Sequence, residues 1–354
     1  MTHADSAMPA PVSARQWQRV DPWRMAREHG SFFGVIALST MALLALDWSH
    51  RAPGVAGPLT DLPSTLLALL IGLDLAILRL TVHRVRYSRG WRDSWHELRR
   101  GPLRAERLAS LVLVTFGMRW LMLTAVSWKT AIPALHPFCC DTALLQADTH
   151  LLGKPAWEYL AWFYRSPAAM RLADRFYYAW FVVFAWVVLG VAWRPYSAHR
   201  RRFLLAMALL WTIGSLAGVA LSSAGPVYYT RVTGHPVSYD IVARQLDGYY
   251  LWATQVQQQL WNSLVGNRHV LIAGIAAFPS LHVAVPALLA ASARATRWRA
   301  AGWLLTVATW FCSVALGWHY LVDGAGGIVI AMLSWQVAGL GSPGTGSLPV
   351  TTTA

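Results

Sequence analysis

Runs of apolar residues, each close to bilayer length and separated by clusters of arginine, decide what this chain can become. A hydrocarbon core needs roughly 20 apolar residues in a crossing helix. Open backbone polar groups are too costly there for anything but helices or closed barrels. About eight such runs occur, near residues 32–48, 62–80, 108–128, 176–193, 203–222, 280–293, 301–317 and 321–338. The expected fold is all-α: a polytopic membrane bundle of about eight transmembrane helices. Composition agrees, with 56% hydrophobic and only 13% charged residues, where a soluble chain carries about a quarter charged. The sixth run is short. The eighth contains DGAGGIVIA, whose small residues suit close helix–helix contact.

The net charge of +14 comes almost wholly from arginine. Arg15, Arg19, Arg24 and Arg27 precede the first run, and Arg84, Arg86, Arg89, Arg92, Arg99, Arg100, Arg104 and Arg107 lie between the second and third. Arg194, Arg200, Arg201 and Arg202 follow the fourth, and Arg294, Arg297 and Arg299 follow the sixth. All fall on one side of an eight-span topology, the cytoplasmic side by the positive-inside rule. Interspersed in this way, the charge speaks for membrane orientation and against nucleic-acid binding. The chain is expected in the cell (inner) membrane with both termini cytoplasmic. Cys139, Cys140 and Cys312 form no metal-binding spacing, and adjacent cysteines make a strained disulfide, so separate thiols are expected.

Two strings carry the chemistry: FPSLH at 278–282 and HYLVD at 319–323. Ionisable residues among membrane spans point to function. His319 and Asp323 are spaced to share a helix face, so the carboxylate can orient the imidazole and leave its other nitrogen as a nucleophile. Pro279 suits the first turn of a helix, and Ser280 and the residues after it would offer free backbone N–H groups to an anion. His282 projects into the same place and can protonate a leaving oxygen. The charge count puts His282, His319 and Asp323 on the extracytoplasmic side, together with the outer segments 131–174 and 223–277. Two histidines and an aspartate can also hold zinc with a water. Asp323, however, is better placed to orient His319 than to join it on a metal, so neither metal nor other cofactor is expected.

A transferring phosphate needs cations and donors. The outer loop offers Arg231, Tyr228 and Tyr229 in GPVYYTRVTG, and Arg268 ahead of FPSLH. The stretch DGYYLWATQVQQQLWNSLVG reads as an amphipathic helix, on the membrane or on the protein's own outer face.

PSLH followed by HY-x-x-D resembles the type 2 phosphatidic acid phosphatase superfamily, and FPSLH with HYLVD looks most like its inositol phosphorylceramide synthase (aureobasidin-resistance) branch. The resemblance implies a six-helix core at 107–340 with a metal-independent phosphohistidine mechanism. His319 matches the nucleophile, Asp323 its orienting acid and His282 the general acid. Two further helices and a basic loop at 31–106, a cytoplasmic tail at 1–30 and a disordered tail at 341–354 complete the expected organisation. The third motif's Ser-Arg pair falls on Cys312 and Ser313, and the first motif is absent; Arg194-Pro195 resembles its ending but lies on the cytoplasmic side, with Val187 in the lysine's place. GPVYY occupies the first motif's position. The expectation is an extracytoplasmic lipid phosphatase or phosphotransferase, moving a phosphoryl or phospho-headgroup from a lipid phosphate or phospholipid donor to water or an alcohol. The alternative is a non-catalytic lipid-binding or lipid-transporting protein on the same fold.

Overall fold

A computed structural model describes residues 22–50, 105–266 and 274–340. The expected span at 62–80, the arginine-rich loop after it, Arg268 and the two tails lie outside the described residues. Among the described residues every regular element is helical. The long helices are α1 (Pro22–His50), α2 (Ala105–Leu135), α5 (Pro167–Trp193), α6 (Ala198–Ala220), α11 (Arg299–Ala315) and α12 (Leu321–Leu340). Shorter ones are α3 (Asp141–Leu152), α4 (Ala161–Tyr164), α7 (Tyr229–Thr233), α8 (Tyr239–Asp247), α9 (Trp252–Val265) and α10 (Leu281–Ser292). Each remaining expected span therefore corresponds to a helix. Five, namely α1, α2, α5, α6 and α12, are long and apolar enough to cross a membrane. The sixth expected span shrinks to the 12 residues of α10, a rise of roughly 18 Å.

Local chemistry sets the ends. Ser166 caps α5, its hydroxyl accepting from Ala169 N–H at 3.2 Å, with Pro167 in the first turn. Helix α5 stops at Trp193 because Arg194 precedes Pro195 and is extended (φ −67°, ψ 145°). Ser197 then caps α6 by accepting from Arg200 N–H at 3.1 Å.

Helix α6 runs through the centre of the core and packs against α1, α2, α10 and α12; its Ala206, Met207, Ala208 and Leu210 are fully buried. Helix α1 is no loose appendage. Phe32 and Ile36 belong to the same core, and Trp128 of α2 donates its indole N–H to Ser39 at 3.1 Å. In α12 the expected small-residue face is used closely: Gly324, Gly326 and Gly327 leave room for the Trp310 indole, the Phe278 ring and the Ser280 carbonyl.

The two ends of the bundle differ. At one, buried Arg200 meets His29, Ser110 and the Val191 carbonyl, and Arg202 donates to the Trp335 carbonyl and stacks on its ring. At the other, the loops after α2, α6 and α11 and the start of α10 converge, and both candidate histidines are there.

Candidate active site

Four chain segments are knitted together at that end by main-chain hydrogen bonds. The Ser222 carbonyl accepts from Cys139 and Cys140 N–H at 3.1 and 3.0 Å, and the Ser223 carbonyl accepts from Ala277 N–H at 2.8 Å. Phe278 N–H donates to the Ser223 hydroxyl at 3.0 Å. Ser280 N–H donates to the Asp323 carbonyl at 2.9 Å, and Val227 N–H to the Gly317 carbonyl at 3.1 Å. The two motif strings are thus in direct contact, as their pairing in sequence implies.

His319 is buried, at 6% exposure. Its Nδ1 lies 2.8 Å from the Ala277 carbonyl oxygen and 3.5 Å from Asp323 Oδ2. A carbonyl can only accept, so Nδ1 carries the hydrogen and Nε2 keeps its lone pair. The sequence reading gave this orienting role to Asp323 alone; the nearer partner is a backbone carbonyl, with the carboxylate behind it. Asp323 Oδ2 also accepts from Tyr320 N–H at 2.9 Å, and Oδ1 has no partner among the described residues.

His282 sits in the first turn of α10 inside an aromatic wall from α5. Its ring stacks on Tyr177 (5.0 Å between centroids, 26°), lies 4.5 Å from Trp180 and meets Phe181 edge-on at 5.7 Å. Trp180 anchors the turn by donating its indole N–H to the His282 carbonyl at 3.0 Å. Tyr177 also stacks on Trp318, the residue before His319, at 6.4 Å and 13°.

Two expectations about FPSLH need correction. Pro279 lies outside the helix, because Ser280 is the N-cap and α10 begins at Leu281. The Ser280 N–H is not free for an anion, since it is bonded to the Asp323 carbonyl. The Ser280 hydroxyl, fully buried, has no partner among the described residues.

The loop candidates are placed differently. Tyr228 is buried, stacks on Trp261 at 5.6 Å and spends its hydroxyl hydrogen on the Gln257 carbonyl at 2.8 Å, so it has no hydrogen left to donate to phosphate. Tyr229 lies in the aromatic cluster that includes Tyr177 and Tyr320, with its hydroxyl 3.3 Å from Thr142 Oγ1. Arg231 is exposed, over the Trp261 ring at 5.3 Å and donating to Gln258 at 3.2 Å. Helix α9, the expected amphipathic segment, buries Ala253, Gln257 and Leu260 against the protein itself.

Two carboxylates that sequence reasoning did not single out hold the site's frame. Asp141 accepts from Ala224 N–H (2.9 Å), Gly225 N–H (2.8 Å) and the Tyr320 hydroxyl (2.9 Å). Asp148 accepts from Leu321 and Val322 N–H at 2.7 and 2.9 Å and so caps α12, the helix carrying Asp323. Burial pushes both carboxyls up from the ordinary range, while these hydrogen bonds pull them down. Burial first, then the Asp141 charge, push the Tyr320 hydroxyl far up, so it stays a donor. The only available signal was their seven-residue spacing, which puts both on one face of α3.

Gly225 explains why GPVYY begins as it does. Its φ is +102°, and a Cβ there would stand 2.6 Å from the Trp318 carbonyl oxygen. Beside Leu321 opens an apolar cavity of about 340 Å³, walled by Leu152, Leu160, Val307, Trp310 and Val314 among others.

Among the described residues no three His, Cys, Asp or Glu side chains converge as a metal ion requires. No curated protein and no solved structure matches this chain. A family model described as the PAP2 superfamily matches residues 142–337, more than half of the chain and all of His282, His319 and Asp323, and the chain therefore belongs to the PAP2 superfamily.

Proposed function

We propose that the protein is a lipid phosphatase or phosphotransferase working through a phosphohistidine at His319, on the extracytoplasmic face of the membrane. The observation that carries this reading is the His319 ring, held at Nδ1 by the Ala277 carbonyl and backed by Asp323, which leaves Nε2 as the free lone pair. In the first step Nε2 attacks phosphorus and the bond from phosphorus to the lipid oxygen breaks. His282 gives its proton to the departing oxygen. In the second, water or an alcohol attacks the phosphorus and loses its proton to His282, and the P–N bond breaks with its electron pair returning to Nε2. Asp323 stabilises the positive ring while it carries phosphorus.

Three observations support the finer parts. The site's end of the bundle is opposite the Arg200–Arg202 end, which by the positive-inside rule supports an extracytoplasmic site and cytoplasmic termini. The apolar cavity lined in part by Leu321, two residues after His319, offers room for hydrocarbon. FPSLH, HYLVD and GPVYY favour the synthase-like branch, and with it an alcohol acceptor and a sphingolipid or related donor.

The test is turnover of a panel of lipid phosphates and phospholipids by purified protein in detergent, with and without chelator, and with His319→Ala and His282→Ala. Chelator-insensitive turnover abolished by His319→Ala, with labelled phosphorus trapped on the wild-type histidine, is expected. Undiminished turnover by His319→Ala refutes the reading. Lipid binding or flipping without turnover in the wild type favours a transport role instead.

A further inference from the structure

The helix start that carries Asp141 also carries a pair of thiols, Cys139 and Cys140, whose Sγ atoms lie 3.1 Å apart. The two share one anchor. Both backbone N–H groups donate to the Ser222 carbonyl, at 3.1 and 3.0 Å, and Cys139 Sγ lies 4.0 Å from the same oxygen. Cys139 is exposed and Cys140 half-buried. We propose that this pair is a reversible redox modification site: it closes to a disulfide by exchange with another disulfide, and in closing it loosens the hold of Asp141 on the loop beside His319.

Adjacent residues favour separate thiols, because their Cα atoms are about 3.8 Å apart where an unstrained disulfide spans about 4.4–6.8 Å. The thiols are indeed free, yet they are in contact. Bonding at about 2.05 Å asks for an approach of about 1 Å. The bond is therefore within reach, and it is strained once made. Strained, exposed disulfides are easily reduced and belong to the labile, regulatory class. The dithiol is the resting form, and the bond appears only under an oxidant.

The exchange balances. The Cys139 thiolate attacks one sulfur of R–S–S–R, whose S–S bond breaks and releases RS⁻. The Cys140 thiolate then attacks Cys139 Sγ and expels the second RS⁻. The two thiol protons end on the two RSH, and the pair gives two electrons to the oxidant. Burial first, then Cys139, push the Cys140 thiol up to about 11, so exposed Cys139 opens the sequence. The His136 ring nitrogens, 3.8 and 4.0 Å from Cys139 Sγ, are within reach of its proton.

The bond reports to the site through α3. Cys140 is the N-cap of that helix, and its carbonyl accepts from Leu144 N–H at 2.9 Å. The next residue, Asp141, holds Ala224 N–H, Gly225 N–H and the Tyr320 hydroxyl. Ser222, which anchors both cysteines, begins the same loop. Drawing the thiols together therefore strains both sides of the contact between α3 and this loop. Gly225 lies against the Trp318 carbonyl, and Tyr320 follows His319, so the strain reaches the turn that carries the imidazole.

The modification stands apart from the phosphotransfer reading; only the turnover measurement draws on it. Full-length protein in detergent is treated with dipyridyl disulfide and then with dithiothreitol, for wild type and Cys140→Ser. Oxidised wild type should yield a peptide spanning both cysteines that is lighter by two hydrogens and carries no pyridyl adduct, and Cys139 should no longer take maleimide. Its melting temperature should fall, because a bond between neighbours closes almost no chain and adds no stabilisation to offset the strain. On any lipid phosphate that turns over, kcat should fall by roughly tenfold. Dithiothreitol should reverse all four changes. Cys140→Ser should stop at the pyridyl adduct on Cys139. A pyridyl adduct that persists on wild-type Cys139, or a bond that joins two protein molecules instead, overturns the inference. So does an internal disulfide that leaves the melting temperature unchanged, since Asp141 then keeps its hold. A reversible disulfide with a lowered melting temperature, in protein that turns over no lipid in either state, supports the inference and refutes the phosphotransfer reading.

Discussion

Replacing Asp323 by Asn separates two jobs that a carboxylate behind a histidine usually performs together. One job is to fix the tautomer; the other is to stabilise the ring when it becomes positive. Here the first is shared with Ala277, whose carbonyl lies 2.8 Å from Nδ1 while Asp323 Oδ2 is 3.5 Å away. An asparagine fits the site: its oxygen can still accept from Tyr320 N–H, and its NH2 takes the place of Oδ1, which has no partner among the described residues. The tautomer should therefore survive, and only the charge term is lost. Two unit charges 3.5 Å apart interact by about 5 kcal/mol at an effective dielectric constant of about 20. With roughly half a charge on the ring in the transition state, about 2–2.5 kcal/mol is at stake, or about 30- to 70-fold in rate. Asp323→Asn should thus lower kcat by roughly two orders of magnitude at most, whereas His319→Ala removes the nucleophile and should leave only background turnover. The assay is phosphate or headgroup release from a slow lipid phosphate under single-turnover conditions, with phosphohistidine quantified in parallel. If Asp323→Asn falls as far as His319→Ala, the carbonyl does not hold the tautomer and the division of labour is wrong.

Other outcomes follow from the frame of the site. Gly225→Ala should cut kcat at least tenfold in protein that still purifies folded, because the φ of +102° and the Trp318 carbonyl at 2.6 Å force the His319 turn to move, at a cost of about 1–3 kcal/mol; an unchanged kcat would mean that the turn tolerates the shift. Asp148→Ala strips two buried charge-assisted bonds from the start of α12 and should cost about 2–4 kcal/mol, read as a lowered melting temperature with impaired turnover. Loss of turnover at an unchanged melting temperature would instead give Asp148 a direct chemical part. Exposed Cys139 is a built-in reporter of sidedness. A membrane-impermeant maleimide should label it in intact cells and fail with Cys139→Ser, while Cys140, whose thiol is pushed up to about 11 by burial and by Cys139, and buried Cys312 react little at neutral pH. Labelling of Cys139 that appears only after permeabilisation would put the site in the cytoplasm.

The helices and the pairing of the two motif strings were legible because their signals are local. Apolar run length located the helices, from 108–128 inside α2 to 321–338 inside α12, although α1 and α5 begin well ahead of their apolar runs, at Pro22 and Pro167. His319 and Asp323 sit one turn apart, and their separation from His282 fits one helical hairpin, α10 and α11. What was illegible depends on partners far along the chain. Asp148 caps α12 from a position 173 residues earlier, and nothing in the string LLQADTHLL marks that aspartate as different from a solvated one. Tyr228 looked like a phosphate donor because it is polar and close in sequence to Arg231, yet the short turn at Pro226–Tyr228 aims it at Gln257. Ser280 N–H looked free because N-terminal helix donors usually are, and its acceptor is a carbonyl 43 residues away.

These long-range bonds explain why the site is built as it is. On the proposed reading, a nucleophilic histidine in a membrane protein must be held without surrounding it with so much charge that the phosphate is repelled. Around His319 the hold is mostly neutral: a backbone carbonyl on Nδ1, with the one nearby carboxylate turned partly to Tyr320 N–H. The other two carboxylates stand one step back, each facing backbone N–H groups rather than the ring. Negative charge is thereby placed on loops and on a helix start, where the backbone dipoles favour it. A change that moved a carboxylate forward, such as Ser280→Asp beside the Asp323 carbonyl, should then raise KM for a phosphate dianion more than it lowers kcat. A drop in kcat alone would mean that the approach to Nε2 is not governed by charge.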